Sequence, residues 1–233
     1  MSGLARRLVA EGVGTALLVA VVVGSGIAAE QLSPGDVGLQ LLENSLATVF
    51  GLATLILLFG PVSGGHFNPV VSLADWFLGR RDGDDGSSLS LPEVGAYAAA
   101  QCAGGVAGAI LANLMFDVET ALSAKDRATG PHFLAEVVAT AGLVALIFAL
   151  VRTGRAALAA PAVGAYIGAA YWFTSSTSFA NPAVTVGRIF SDTFAGIAPS
   201  SAPAFVAAQA IGAAVGVLLV LVLYPHKSGA PRP

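Results

Sequence analysis

Two stretches of this chain lack any charged side chain and are each about half a membrane span too long for a single crossing helix: residues 44–74 and 156–187, with 31 and 32 residues. Both carry the same kind of interruption, S-G-G-H-F-N-P-V at 63–70 and S-T-S-F-A-N-P-A at 176–183. Asn is a good N-cap and Pro suits the first helical position, where its missing N–H is not needed. Each Asn-Pro pair therefore starts a short helix after an irregular segment. Non-helical backbone at bilayer depth is tolerated only where protein buries it or it lines a watery cavity. Two such re-entrant segments predict a pore.

The remaining composition fits that reading. Hydrophobic residues make up 55% of the 233 positions and charged residues 11%, less than half the roughly 25% of an ordinary soluble domain. A formal net charge of −3 excludes a nucleic-acid surface held by phosphate contacts. Four further apolar blocks, 12–29, 94–116, 128–151 and 193–226, bring the expected spans to six. The third of these is broken only by Glu136, and Pro199, Ser200, Ser201 and Pro203 make the opening of the last a loop. Arg6 and Arg7 ahead of an apolar run have the layout of a secretory signal, but five more blocks of the same kind make that run the first of six spans. Cys102 is the single cysteine, so no disulfide framework forms within one chain. No phosphate-binding loop, nucleophile triad or metal-ligand spacing occurs. The chain reads as neither an enzyme nor a cofactor protein.

The chain also repeats itself. A-E-G-V-G-T-A-L-L-V-A from Ala10 matches A-E-V-V-A-T-A-G-L-V-A from Ala135, and A-Q-C-A-G-G-V-A-G-A around Gln101 matches A-Q-A-I-G-A-A-V-G-V around Gln209. The Asn-Pro pairs fall between these anchors in both halves. Gly104 and Gly108, like Gly212 and Gly216, are small residues four apart that suit close helix crossing. Repeats of approximately 8–116 and 132–226 within one channel domain, 1–233, hold three spans each. An odd number inverts the second repeat relative to the first, so two half-helices meet near the midplane from opposite sides. With the N-terminus inside, Arg6, Arg7, Arg80, Arg81, Arg152, Arg155, Lys227 and Arg232 lie inside and Lys125, Arg127 and Arg188 outside. This bias predicts a multi-pass cell-membrane protein with both termini cytoplasmic.

These motifs together resemble the major intrinsic protein family, the aquaporins and aquaglyceroporins, over almost the whole chain. The resemblance implies an all-α membrane fold of six tilted helices plus two re-entrant half-helices in an inverted repeat. It also implies one pore per subunit, usually in a homotetramer within the lipid bilayer, passing small neutral solutes and water. The boxes are then Asn68, Pro69 and Val70, and Asn181, Pro182 and Ala183. As N-caps, Asn68 and Asn181 have their side-chain oxygens tied to the helices and their amide N–H groups free to donate into the lumen. The positive helix ends meet at one level and oppose cations and protons. Carbonyls of Gly64, Gly65 and His66, and of Thr177, Ser178 and Phe179, form a ladder of acceptors for solutes that donate hydrogen bonds.

Two departures from the family pattern stand out. Val70 replaces the usual Ala of the first box. The residue after the second box, usually Arg, is Val184. The family's filter positions fall by ungapped spacing on Thr48, Ala169, Ser178 and Val184, with Phe50 replacing Thr48 if the second helix shifts by two residues. A filter of Thr, Ala, Ser and Val is uncharged, without an aromatic, and wider than that of a water-selective member. The variant resembles the bacterial subgroup associated with arsenic resistance, so the expected solutes are arsenite or methylated arsenicals, or polyols such as glycerol, with water. A strict water channel is the alternative. An ion-coupled secondary transporter is the rival of another class, since inverted repeats and broken helices build those too. It needs spare membrane carboxylates. The two present, Glu11 and Glu136, are implied by the resemblance to accept hydrogen bonds from the re-entrant loops. His66 packs beside the pore, with gating by its titration as the alternative; Arg188 caps a helix end or snorkels, with a charge lent to the outer mouth as the alternative; and His132 and His226 sit near membrane boundaries.

Overall fold

A computed structural model describes residues 3–83 and 88–225. Lys227, Arg232 and His226, and part of the 80–88 connection, lie outside the described residues. Among the described residues, six helices are long and apolar enough to cross a bilayer. They are α1 (Gly3–Leu32), α2 (Val37–Ser63), α4 (Leu91–Met115), α5 (Gly130–Arg152), α6 (Ala159–Phe173, extended at its start by a 3-10 turn at Ala156–Leu158) and α8 (Ala202–Leu223). Between them lie two shorter helices, α3 (Pro69–Asp82) and α7 (Pro182–Arg188). Among the described residues there is no strand.

The spans overrun the charge-free blocks at several ends, including the connection between α1 and α2. α1 runs past Glu30 to Leu32 and α2 begins at Val37, before Glu43. Both carboxylates are served there, Glu43 by the Ser33 hydroxyl at 2.7 Å and Glu30 by the Phe194 N–H at 3.0 Å. Pro203, read from the sequence as part of a loop, stands instead in the first turn of α8, where its missing N–H leaves no helical bond unmade.

The start of α1 and the end of α8 lie on one face. Arg7 at the start of α1 pairs with Glu93 at the start of α4. Arg152 at the end of α5 pairs with Asp82 at 2.6 Å and donates to the Tyr224 carbonyl at 2.6 Å. The opposite face carries segments 116–129 and 189–201, joined by Asn113 to the Phe190 carbonyl at 2.9 Å and by the Ala198 N–H to the Lys125 carbonyl at 2.8 Å. α3 therefore ends at the first face and α7 at the second, and their N-termini meet between the faces.

Small residues set how closely the spans cross. A Cβ added to Gly104 would lie 2.1 Å from the Gly12 carbonyl oxygen, and one added to Gly108 would lie 2.1 Å from that of Ala16. In the other half, a Cβ added to Gly212 or Gly216 would lie 2.5 or 2.6 Å from the carbonyl oxygen of Val137 or Ala141. The obstacle is helix backbone, which cannot step aside as a flexible side chain does. Gly104→Val is therefore expected to cost about 3 kcal/mol, the upper end for overpacking. It should lower the thermal midpoint in detergent, read by tryptophan fluorescence. An unchanged melt would show that α1 and α4 separate freely.

Candidate pore and its constriction

The segments ahead of α3 and α7 are built alike. Gly64, Gly65 and Phe67 have φ of 93°, 62° and 49°, and Thr177, Ser178 and Ala180 have φ of 62°, 51° and 48°. Four of these six are not glycine, so each carries a conformational cost of about 1–3 kcal/mol that the surroundings must hold in place. The holding groups are the two buried glutamates. Glu11 accepts from the Ser63 hydroxyl at 2.6 Å, the His66 and Phe67 N–H groups at 3.0 and 2.7 Å, and Gln101 Nε2 at 2.7 Å. Glu136 accepts from the Ser176 hydroxyl at 2.7 Å, the Phe179 and Ala180 N–H groups at 2.9 and 2.8 Å, and Gln209 Nε2 at 2.7 Å. Each carboxylate is thus fully engaged in orienting a loop.

The two asparagines cap their helices and also tie the halves together. Asn68 Oδ1 accepts from the Val70 N–H at 3.1 Å, and Asn181 Oδ1 from those of Ala183 and Val184 at 2.9 and 3.3 Å. Their amide nitrogens cross over: Asn68 Nδ2 donates to the Ala180 carbonyl at 2.8 Å and Asn181 Nδ2 to the Phe67 carbonyl at 2.7 Å. The expectation that both N–H groups of each amide are free is corrected. One hydrogen of each is used in the cross-link, because the loops approach until each asparagine reaches a carbonyl of the opposite loop, and one remains.

A cavity of about 100 Å³ runs along these groups, room for several waters at about 10–15 Å³ each. Its polar wall comes from the loops, with Gly64, Gly65, His66, Asn68, Ser178 and Asn181. Its apolar wall comes from four spans, among them Leu18 of α1, Leu52 of α2, Leu143 of α5 and Ile167 of α6. Phe179 also borders it, and Thr177 lies outside its lining. His66 Nδ1 is 3.0 Å from the Ser72 hydroxyl, and the ring lies 5.7 Å from that of Tyr97. Pro69, Pro182 and Ala183 stand in the first turns of the half-helices, behind the lining.

Of the four filter positions, Thr48, Ser178 and Val184 border this cavity and Ala169 does not. Pro161, Ala165, Ala169 and Trp172 form the exposed stripe of α6, while Ile167 and Tyr171 point inward. The ungapped spacing missed because facing is set by the helical period from Val163 and Ile167, and a two-residue offset turns a helical position to the opposite side. Phe50 is 68% exposed and faces away, which removes it as the substitute for Thr48.

The cavity lining therefore does include an aromatic, Tyr171 of α6. The Tyr171 hydroxyl lies 3.1 Å from that of Thr48. It also holds a charge: Arg188 is 2% exposed and borders the cavity, its guanidinium carbon 3.4 Å from the centroid of the Phe179 ring. Arg188 neither snorkels nor lies on the surface. Arg127 approaches the same ring, its guanidinium carbon 5.3 Å from the centroid, and donates to the Gly196 carbonyl at 2.8 Å and the Phe194 carbonyl at 3.2 Å. Burial brings the Arg127 guanidinium down to about 10, still well above neutrality, so it stays a cation. No local motif marks these roles in the sequence. The available signal was an arginine, at 188, inside an otherwise apolar segment.

The sequence profile described as Major intrinsic protein matches residues 1–178. Over 218 residues the chain is 48% identical to the aquaglyceroporin AqpS of Rhizobium meliloti, spanning 93% of this chain and 89% of that one. The chain belongs to the major intrinsic protein family. Its further relatives include a glycerol uptake facilitator protein of Pseudomonas aeruginosa, 32% identical over 168 residues that span 64% of this chain and 58% of that protein. The X-ray structure of the aquaglyceroporin from Plasmodium falciparum superposes with a TM-score of 0.65 at 21% identity, covering 93% of this chain and 95% of that one. That likeness shows the aquaporin fold. As a major intrinsic protein, the chain is a multi-pass membrane channel for small neutral solutes and not an enzyme. Among the described residues no group of His, Cys, Asp and Glu is placed to hold a metal ion.

Proposed function

We propose that this chain is a passive pore for small neutral hydroxylated solutes, of which glycerol-like polyols and the neutral hydroxylated arsenicals, arsenite and its methylated forms, are the main classes, with water following. The observation that carries this reading is the division of the cavity lining between polar residues of the two loops, Gly64, Gly65, His66, Asn68, Ser178 and Asn181, and Leu, Val and Ile from four spans. A polyol has the matching halves, hydroxyls that donate to carbonyls and a C–H edge that lies on apolar surface. The same reading takes Gly64, Gly65, His66, Ser178 and Phe179 as the acceptor ladder and Asn68 and Asn181 as the midpoint donors. It takes the two matched halves as an inverted repeat of approximately 8–116 and 132–226, and the working assembly as a homotetramer.

The face with the start of α1 and the end of α8 is read as cytoplasmic. Arg6, Arg7, Arg80, Arg81, Arg152 and Arg155 belong to its end of the spans, against Lys125, Arg127 and Arg188 at the other. Engagement of both membrane carboxylates in loop bonds speaks against ion coupling, since a coupling site needs a carboxylate that exchanges partners. In liposomes, glycerol should equilibrate at the same rate with and without a proton or sodium gradient. Measurement is by light scattering after an osmotic jump, and accumulation of labelled glycerol above equilibrium under either gradient would replace the channel by a coupled transporter.

A further inference from the structure

Position 184 holds Val, yet the cavity is not without a guanidinium. Arg188 comes from one helical turn further along α7 and borders the same cavity as Val184, Ser178, Thr48 and Tyr171. Its Nε donates to the Ala195 carbonyl. Its two terminal amino groups have no acceptor among the described residues, although the side chain is almost wholly buried. A guanidinium carries five N–H donors, so four of them are left over. Donors that keep no protein acceptor on an otherwise buried side chain beside a cavity are left for water or a solute in that cavity. On the same cavity, the buried Ser178 hydroxyl also lacks a partner among the described residues.

The side chain is also held in position. Phe179 lies under the guanidinium at 3.4 Å, a cation–π contact that fixes the plane of the fork. The segment that supplies the Ala195 carbonyl is clasped from the 116–129 connection: Arg127 takes the Gly196 and Phe194 carbonyls, and Lys125 Nζ takes the Phe194 carbonyl at 2.9 Å. Three consecutive carbonyls thus receive three cations, and among the described residues none of the three cations is paired with a carboxylate.

We propose that Arg188 is the specificity-determining residue at the end of the pore opposite the start of α1 and the end of α8. A guanidinium relocated by one turn offers its terminal N–H groups, with the Ser178 hydroxyl, to the oxygens of a passing solute, while its charge turns small cations back. Arg127 is its positioning residue, acting through Phe179 and the 194–196 carbonyls. This inference rests on the channel reading above. It predicts selection by hydrogen-bond acceptance and charge together, with Val184 setting only the width.

The test uses the full chain in liposomes, with glycerol, water and methylammonium as probes. Wild type should pass glycerol and exclude methylammonium. Arg188→Leu and Arg188→Gln, the latter still able to donate to the Ala195 carbonyl, should each raise methylammonium entry about tenfold and shift the glycerol-to-water ratio at least threefold. Arg188→Lys keeps the charge and loses the fork, so cation exclusion should persist while the ratio shifts. The double substitution of Val184→Arg with Arg188→Leu should restore exclusion. Folded neutral variants that exclude methylammonium as wild type does, with an unchanged ratio, would overturn the proposal and leave Arg188 as an anchor for Ala195. If neither neutral variant folds, an unchanged ratio in Arg188→Lys overturns it equally. Wild type that passes no glycerol would instead overturn the channel reading, leaving a distinct result.

Discussion

Asn181→Asp should lower glycerol flow at least tenfold in inserted, folded protein, which corresponds to a barrier higher by about 1.4 kcal/mol. Asn181 Nδ2 donates to the Phe67 carbonyl at 2.7 Å, and a carboxylate there sets an oxygen against an oxygen. The cross-link between the loops is lost, and a negative charge appears beside the ends of two helices whose dipoles otherwise oppose cations. Its cap function survives, because Asp also accepts from the Ala183 and Val184 N–H groups. The effect should therefore fall on permeation rather than on folding. Asn68→Asp should behave likewise through the Ala180 carbonyl. Stopped-flow swelling gives the glycerol rate and an ion-sensitive dye reports cation entry. Conduction equal to wild type in both assays would remove the asparagines from the permeation path.

Glu136→Ala should prevent recovery of folded protein altogether. Four buried donors lose their acceptor at once, two of them backbone N–H groups of the loop. At about 1–3 kcal/mol for each orphaned donor, the loss is comparable with the whole stability of an ordinary domain, about 5–15 kcal/mol. The loop cannot relax harmlessly, because Thr177, Ser178 and Ala180 hold left-handed conformations that these bonds help to maintain. Glu136→Gln keeps the shape and one acceptor oxygen, so it should be damaged less. Yield of monodisperse protein in detergent ranks the three chains, and Glu136→Ala as well folded and as conductive as wild type would show that the loop stands without its carboxylate.

The residues whose roles were legible are those that act through their own neighbours in the chain. Asn68-Pro69 and Asn181-Pro182 announce helix starts by local chemistry alone, and the length of the charge-free stretches around them demands re-entry. Glu11 and Glu136 were legible because a carboxylate inside an apolar run must be paired and because each recurs at a matching place in the two halves. The small residues at 104, 108, 212 and 216 were legible by spacing. All of these are one-dimensional signals with a physical cause that does not depend on which helix lies opposite.

What the tertiary structure alone decided is where side chains converge from elements far apart in sequence. Ala169 and Tyr171 differ by two positions on one helix, and only the packing of α6 through Val163, Gly164 and Ile167 shows which faces the cavity. Arg188 seemed from its sequence position to belong at a surface, since a long cation near a helix end has every reason to reach water. Its burial depends on the Phe179 ring beneath it and the Ala195 carbonyl ahead of it, and the latter is held in place by Arg127 from the connection between α4 and α5. The crossing of each asparagine amide to the opposite loop likewise needs both halves assembled. Local chemistry determines which segments break, cap and re-enter; the charge and width of the opening they enclose follow from distances between residues that no spacing along the chain encodes.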